Sequence, residues 1–155
     1  MRWLHRMIVP ASLAFALLAH PGAAEDLKLP DGKVAIHYFR AKGDYESWGV
    51  HAWESFQKPE EAATDRAEKQ RADRPLSGWG KAIAPSGKDD FGVYFLLDAS
   101  EFGNGRVNYI IHRGESKDQC NLDKYFMIAD TREIWVNSGD CNTYKTKDEA
   151  LKARK

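Results

Sequence analysis

The stretches GDYESWGVHAW (residues 43–53) and YIIHRGESKD (residues 109–118) carry the most information about the fold. In the first, His51 and Trp53 stand two residues apart on a predicted strand, and residues i and i+2 of a strand share one face. The residues that alternate with them point to the opposite face, which a sheet in a sandwich would bury. An aromatic pair on an outer sheet face, beside a loop rich in donors and acceptors, is an arrangement that suits a sugar.

Short runs of alternating, β-branched or aromatic residues, separated by turn signals such as Gly103-Asn104-Gly105, predict at least five strands. The predicted strands are Val34–Phe39, Trp48–Trp53, Phe91–Leu97, Arg106–His112 and Glu133–Asn137, with short additional strands near Ala82 and Thr143. Several short strands at this spacing predict an all-β fold, a single immunoglobulin-like β-sandwich.

One segment, about residues 59–74, breaks the strand pattern. It is rich in strong helix formers, has Pro59 near its start and carries acidic residues in its first turn. Its only apolar members are alanines, so it can bury little surface. We predict one short helix inserted between strands, with a disordered loop as the alternative.

The first 24 residues have the layout of a secretory signal peptide. A basic start containing Arg2 and Arg6 precedes the apolar run 7–19, and small residues follow. The apolar run is shorter than the roughly 20 residues that span a bilayer. We therefore expect residues 1–24 to be removed and residues 25–155 to form one exported domain, periplasmic or extracellular, with no membrane span. An uncleaved anchor is the alternative.

The charge balance argues against strongly charged partners. The chain has 23 Lys and Arg against 23 Asp and Glu, and loss of residues 1–24 leaves 21 against 23, a formal net charge of −2. Because no basic block is present, nucleic acid and anionic membranes are poor partners. A neutral ligand fits this composition best.

Cys120 and Cys141 are the only cysteines. An exported chain meets an oxidising compartment, so we expect the two to pair. The bridge would close a loop of roughly 20 residues and contribute about 3 kcal/mol on the chain-entropy model. Two cysteines without a nearby histidine pattern do not make a zinc site, so no metal and no cofactor are expected.

Trp53 is the first candidate for a sugar contact, because an aromatic ring combines a large apolar area with an electron-rich face. The alternative is core packing, where most tryptophans are largely buried. His51 on the same face could stack on a sugar and also form a hydrogen bond. Trp48 has the parity of a core residue. Trp79 and Trp135 are assigned to core or edge packing, although Trp79, in a Gly-flanked loop, could instead reach a ligand.

Lys117, Asp118 and Asp123 lie in one predicted loop. A lysine can donate three hydrogen bonds and a carboxylate can accept two from neighbouring hydroxyls, which is a sensible pair for a glucose unit. The alternative is a solvated loop with a local ion pair, and the residues alone favour that alternative.

Four segments, in order within residues 33–151, resemble the pullulanase-associated domain, also called carbohydrate-binding module family 41. VAIHYFRAKGDYESWGVHAW (34–53) is similar to the opening strand, acidic-glycine turn and Trp-bearing strand of that family, and SGKDDFGVYFLL (86–97) is similar to its next strand. YIIHRGESKD is similar to the family's His-Lys-Gly-Asp-x-Lys-Asp segment, and EIWVNSGD (133–140) to its closing strand. The resemblance implies a β-sandwich that binds α-glucans and usually stands at the front of secreted pullulanases.

On this resemblance, Trp53 falls on a ring-stacking position, and His51 falls where some members have a second tryptophan and others a histidine. Lys117 and Asp123 fall on the polar contacts to sugar hydroxyls, and the role of the neighbouring Asp118 stays open. The loop 119–122 departs from the family, because it replaces a Pro/Gly-rich turn. This departure bears on affinity and linkage preference more than on the fold.

We therefore expect a secreted, non-catalytic module that recognises α-glucans of the glycogen, pullulan or maltooligosaccharide type, with a separate glucan-degrading enzyme as a candidate partner. Glycoside hydrolysis needs two carboxylates about 5 to 9.5 Å apart, whereas Asp89 and Asp90 are adjacent in a turn and point apart. The chain is also short for the roughly 250-residue barrel that carries pullulan chemistry. The alternative is a periplasmic or secreted protein-interaction or inhibitor module that retains the sandwich without binding sugar.

Overall fold

The computed structural model describes residues 25–55 and 73–154, which form two β-sheets around one core. The strands are β1 (Lys33–Phe39), β2 (Gly49–Ser55), β3 (Asp73–Pro75), β4 (Gly87–Lys88), β5 (Val93–Asp98), β6 (Arg106–Arg113), β7 (Ser116–Lys117), β8 (Lys124–Met127) and β9 (Glu133–Asn137). A short helix, α1 (Lys147–Lys152), follows the last strand. The predicted all-β sandwich is confirmed. The predicted signal peptide lies outside the described residues.

The four-stranded sheet has the order β4-β5-β1-β9, in which β1 is antiparallel to β5 and parallel to β9. The five-stranded sheet has the order β3-β2-β6, and the far edge of β6 pairs first with β8 and then with β7. The strand β6 therefore lies in the middle of this sheet, with β2 on one side and the two short strands on the other.

The core lies between the two sheets and follows from the alternation of apolar residues along each strand. Its members are Val34, Ile36, Tyr38, Trp48, Val50, Ala52, Val93, Phe95, Leu97, Phe102, Val107, Tyr109, Ile111, Phe126, Ile134 and Val136. Trp48 is thus a core residue, as its parity predicted.

The five predicted strands are all present, with ends within two residues of those expected, and the two short additional strands occur as isolated bridges, Val50 to Ile83 and Trp135 to Tyr144. Residues 59–72 of the predicted helical insert lie outside the described residues. The last two residues of that segment, Asp73 and Arg74, are in β3 rather than in a helix, because they pair with Ser55 and Glu54 of β2.

The helix that the structure does describe lies at the C-terminal end. Thr146 caps α1, since its side chain accepts a hydrogen bond from the backbone N–H of Glu149. Asn137 in β9 donates to the carbonyl oxygen of Ala150 at 2.8 Å, which fixes the helix against the four-stranded sheet. Within residues 25–55 and 73–154, no helix is long and apolar enough to cross a membrane.

Candidate functional site

The outer face of the five-stranded sheet carries the predicted aromatic pair. Val50 and Ala52 are fully buried in the core, and His51 and Trp53 alternate with them on the other face. Trp53 nevertheless exposes only 7% of its surface, while His51 is half-buried. The prediction that both side chains lie on the outer face is therefore confirmed, but little of the Trp53 ring is accessible to a ligand.

Two more rings join this pair and form a cluster of Trp53, His51, Trp79 and His112, here called the ring cluster. The Trp79 and His112 rings are stacked, with centroids 4.0 Å apart and planes 12° apart. His51 meets Trp79 edge-on at 5.4 Å and lies 5.6 Å from Trp53. Trp79 is half-buried and does not belong to the core cluster, so its packing is on the outer face beside His51. Core packing was therefore the wrong interpretation of Trp79, and its contact with a ligand stays a prediction.

A close chain crossing brings Trp79 to this face. A Cβ atom on Gly49 would stand 2.6 Å from the Cβ of Ala82 and 2.9 Å from the carbonyl oxygen of Ile83. Ile83 also exchanges two backbone hydrogen bonds with Val50. Only a glycine at position 49 allows this approach without a shift of the chain, and the approach holds the loop that presents Trp79.

The two histidines of the ring cluster, His51 and His112, differ in their hydrogen bonds. Burial, followed by the nearby His112, lowers the pKa of His51, so its imidazole is uncharged at pH 7. His112 donates from Nδ1 to the carbonyl oxygen of Gly114 at 2.9 Å. Its Nε2 and the Nδ1 of His51 have no hydrogen-bond partner within the described part of the chain. Both of these nitrogen atoms are buried, so the ring cluster presents mainly ring surface to the outside.

Lys117 and Asp123 lie at one end of the ring cluster. Lys117 pairs with His112 across the β6–β7 ladder, and its Nζ stands 5.6 Å from the centroid of Trp79. It also forms an ion pair with Asp123 at 3.4 Å. Trp79 donates from Nε1 to Glu115 at 3.0 Å. An exposed ion pair of this kind contributes only about 0–1 kcal/mol, so separating Lys117 from Asp123 requires little free energy.

Asp118, between these two residues, has a different environment. It is buried, and its Oδ1 accepts from the backbone N–H groups of Gln119 and Gly139, both at 2.7 Å. Its Oδ2 accepts from the hydroxyls of Tyr38 and Ser138. Both oxygens are occupied by the protein, so Asp118 fixes the loop rather than contacting a ligand.

The predicted disulfide between Cys120 and Cys141 is present, with the two Cα atoms 5.1 Å apart. Cys120 and its neighbours Gln119 and Asn121 all have left-handed backbone, with φ of 61°, 51° and 60°. Such conformations are unfavourable for residues with a Cβ and persist only where the surroundings impose them. The disulfide and Asp118 together hold the loop that carries Lys117 and Asp123.

Trp135 lies on the other sheet and away from the ring cluster. Its ring stacks on His37 of β1, with centroids 4.8 Å apart and planes 7° apart. His37 is buried there between Asp89 at 2.6 Å and Glu133 at 3.2 Å. No group of three or more His, Cys, Asp or Glu side chains in the described ranges is arranged to hold a metal ion.

Comparison with known families identifies the domain. The family model of the bacterial pullanase-associated domain matches residues 32–145, which is most of the chain. The chain belongs to this family. The resemblance noted in the four sequence segments is thereby confirmed, and the match spans both sheets and every residue of the ring cluster.

Among curated proteins, this pullanase-associated domain is 30% identical over 86 residues to an alpha-amylase of Streptomyces lividans. The matched part is 56% of this chain and 7% of the amylase. The chain therefore corresponds to a small part of that larger protein.

Solved structures share the fold of this pullanase-associated domain. Two of them are structures from Klebsiella pneumoniae, ligand-free PulA and the pullulanase complexed with maltotriose. Each superposes with a TM-score of 0.61 at 20% identity, and the match covers 84% of this chain and 12% of the other chain. Family 41 carbohydrate-binding modules from streptococcal virulence factors, in a structure of α-glucan recognition, superpose with a TM-score of 0.57 at 16% identity, over 78% of this chain and 50% of theirs. At these identities the shared property is the fold.

Proposed function

We propose that the domain binds α-glucans on the outer face of the five-stranded sheet. The observation that carries this proposal is the stack of Trp79 on His112 beside His51, with Lys117 at its edge. A rigid ring held by stacking loses little entropy when a sugar packs against it. The maltotriose complex of the Klebsiella pneumoniae pullulanase and the α-glucan recognition of the streptococcal modules support the choice of ligand.

The ring cluster would supply the apolar contact and the loop would supply the hydroxyl contacts. We assign stacking to Trp79 and His51, with a smaller contribution from Trp53 because little of it is open. Lys117 would donate to sugar oxygens and Asp123 would accept from hydroxyls once their mutual ion pair opens. A few stacking contacts and exposed hydrogen bonds correspond to micromolar to millimolar affinity, roughly −8 to −4 kcal/mol.

We infer a binding role without catalysis. A general acid for glycoside hydrolysis needs a raised pKa. At Asp118, burial raises the pKa, but hydrogen bonds from Tyr38, Gly139, Ser138 and Gln119 outweigh it and lower the pKa overall. At Asp89 the hydrogen bond from His37 and two backbone N–H groups outweigh burial in the same way. These two buried carboxylates are thus suited to fixing loops and poorly suited to proton transfer.

We also propose that the domain works in the periplasm or outside the cell. The disulfide between Cys120 and Cys141 favours an oxidising compartment. The signal-peptide pattern of residues 1–24 points the same way. A glucan-degrading enzyme would be a natural partner there, because binding to a polysaccharide raises the local concentration of its substrate.

Affinity electrophoresis tests the proposal directly. The domain would be run in gels that contain glycogen, pullulan, amylose or a β-glucan control, next to Trp79→Ala and Trp53→Ala. We expect retardation by the α-glucans alone, loss of retardation in Trp79→Ala, and a smaller loss in Trp53→Ala.

Trp135→Ala is the matched control, because it removes an equally half-buried, histidine-stacked tryptophan from the opposite sheet. Once circular dichroism shows that it is folded, this variant should be retarded like the wild type. Equal mobility of the wild type in every gel would refute α-glucan binding and direct the search to protein partners.

A further inference from the structure

The outer face of the five-stranded sheet continues beyond the ring cluster to the edge strand β8. Tyr125 on β8 exposes 51% of its surface and belongs to a small group of large apolar side chains that are exposed in the described structure. In the strand register, Trp53 lies opposite Asn108, and Asn108 lies opposite Tyr125. Directly opposed residues share a face, so these three residues form one row across the sheet.

The row has an aromatic residue at each end. Asn108 in the middle is buried and its amide donates to the carbonyl oxygen of Trp53 at 3.1 Å, so it is committed to the protein. Neighbouring strands are about 4.8 Å apart, which places Tyr125 about 10 Å from Trp53 across the sheet. A ligand that touches both the ring cluster and Tyr125 must therefore be longer than one sugar unit.

Arg106 adds a polar group beside Tyr125. Its guanidinium lies 4.2 Å from the centroid of the Tyr125 ring. Arg106 stands two residues before Asn108 on β6 and so points to the same face. Its side chain forms no hydrogen bond or ion pair with any described residue, and its Nε is buried without a partner. Arg40 and Arg74, in contrast, each donate to carboxylates.

We propose that Tyr125 and Arg106 form a second sugar subsite, which takes a further glucose unit of an α-glucan whose first units lie at the ring cluster. This inference rests on the proposed function and adds to it the direction of the chain, across the strands from Trp79 towards β8. Tyr125 supplies an open ring, and Arg106, already oriented by that ring, supplies N–H donors for hydroxyls. The domain then prefers longer chains to short ones.

Calorimetric titration with maltose and with maltoheptaose tests the second subsite. We expect the wild type to bind maltoheptaose about five- to tenfold more tightly than maltose, because only the longer chain extends from the ring cluster to Tyr125. Tyr125→Ala and Arg106→Gln should remove most of this preference and leave the affinity for maltose unchanged. Leu151→Ala truncates another exposed apolar residue, on α1, and should keep the wild-type preference.

The outcomes separate the two proposals. If Tyr125→Ala keeps the full preference for maltoheptaose while Trp79→Ala abolishes binding of both sugars, the second subsite is refuted and the proposed function stands. If Tyr125→Ala weakens the binding of both sugars by the same factor, Tyr125 belongs to the first site and the second subsite is again refuted. If the folded wild type binds neither sugar, both proposals fail.

Discussion

Replacing Asp118 with asparagine should destabilise the domain strongly at neutral pH. The substitution keeps the size of the side chain but turns one acceptor oxygen into an NH₂ group. In the wild type, Oδ2 accepts from the hydroxyls of Tyr38 and Ser138 and lies 3.5 Å from the guanidinium of Arg40. Hydrogen bonds to a charged group contribute about 1.5–3 kcal/mol each. With the backbone bonds to Oδ1 retained, we expect a loss of about 3 kcal/mol.

This loss is large compared with the total stability of a domain of this size, which is about 5–15 kcal/mol. It corresponds to a decrease in melting temperature of about 10 °C. Urea denaturation followed by tryptophan fluorescence, with circular dichroism for thermal unfolding, measures both quantities. Asp130→Asn is the control, because Asp130 is exposed and Lys145 is its one partner among the described side chains, and it should change the unfolding free energy by less than about 1 kcal/mol.

The effect of Asp118→Asn on the free energy of unfolding should depend on pH. Although burial raises the pKa of Asp118, its hydrogen bonds lower it overall, so the folded pKa lies below the unfolded value of about 3.9. The carboxylate therefore stabilises the fold above pH 4, and this contribution is lost as the pH falls through the folded pKa. The difference between wild type and Asp118→Asn should be full at pH 7 and smaller at pH 3. A variant as stable as the wild type at pH 7, or a difference that does not change with pH, would refute the reasoning.

Three further changes test other contacts. Gly92→Ala places a Cβ against the carbonyl oxygen of Tyr38, where there is no room for it, and should lower the free energy of unfolding in urea by about 2–4 kcal/mol. Gly78→Ala, with open space around it, should be nearly neutral. Replacing Cys120 and Cys141 with serine should reduce the unfolding free energy by about 3 kcal/mol and speed proteolysis between Lys117 and Lys124; equal stability would contradict the entropic role of the bridge. His37→Phe removes the 2.6 Å hydrogen bond to Asp89 and should raise the pKa of Asp89, as measured by NMR titration; an unchanged pKa would show that the backbone donors alone set it.

Local sequence patterns were sufficient to predict the direction of the side chains on β2. Alternation is a property of neighbouring residues, so the burial of Val50 and Ala52 and the opposite orientation of His51 and Trp53 follow from a few positions. The sequence could not show how much of Trp53 would be covered. Exposure depends on what packs over a face, and those residues come from other parts of the chain.

Trp79 shows why the rest of the site could not be predicted. Its stacking on His112 depends on a partner 33 positions away in the chain and on the crossing of residues 82–83 over Gly49. The signal that could have indicated it is the pair of glycines around Trp79, which marks a loop that can approach another strand. Likewise, β3, β4 and β7 have only two or three residues each, and their pairing is imposed by the strands beside them.

Asp118 and Asp123 lie in one loop but have opposite environments. Both are aspartates near Lys117, and their local spacing gives no reason to treat them differently; only the family resemblance singled out Asp123. Tyr38, 80 positions earlier, reaches Asp118 and makes it part of the interior, while Asp123 stays exposed in an ion pair of low energy. The buried carboxylate and the disulfide fix the backbone through three left-handed residues, so in the proposed binding mode the exposed pair would open for a sugar without unfolding the loop that presents it.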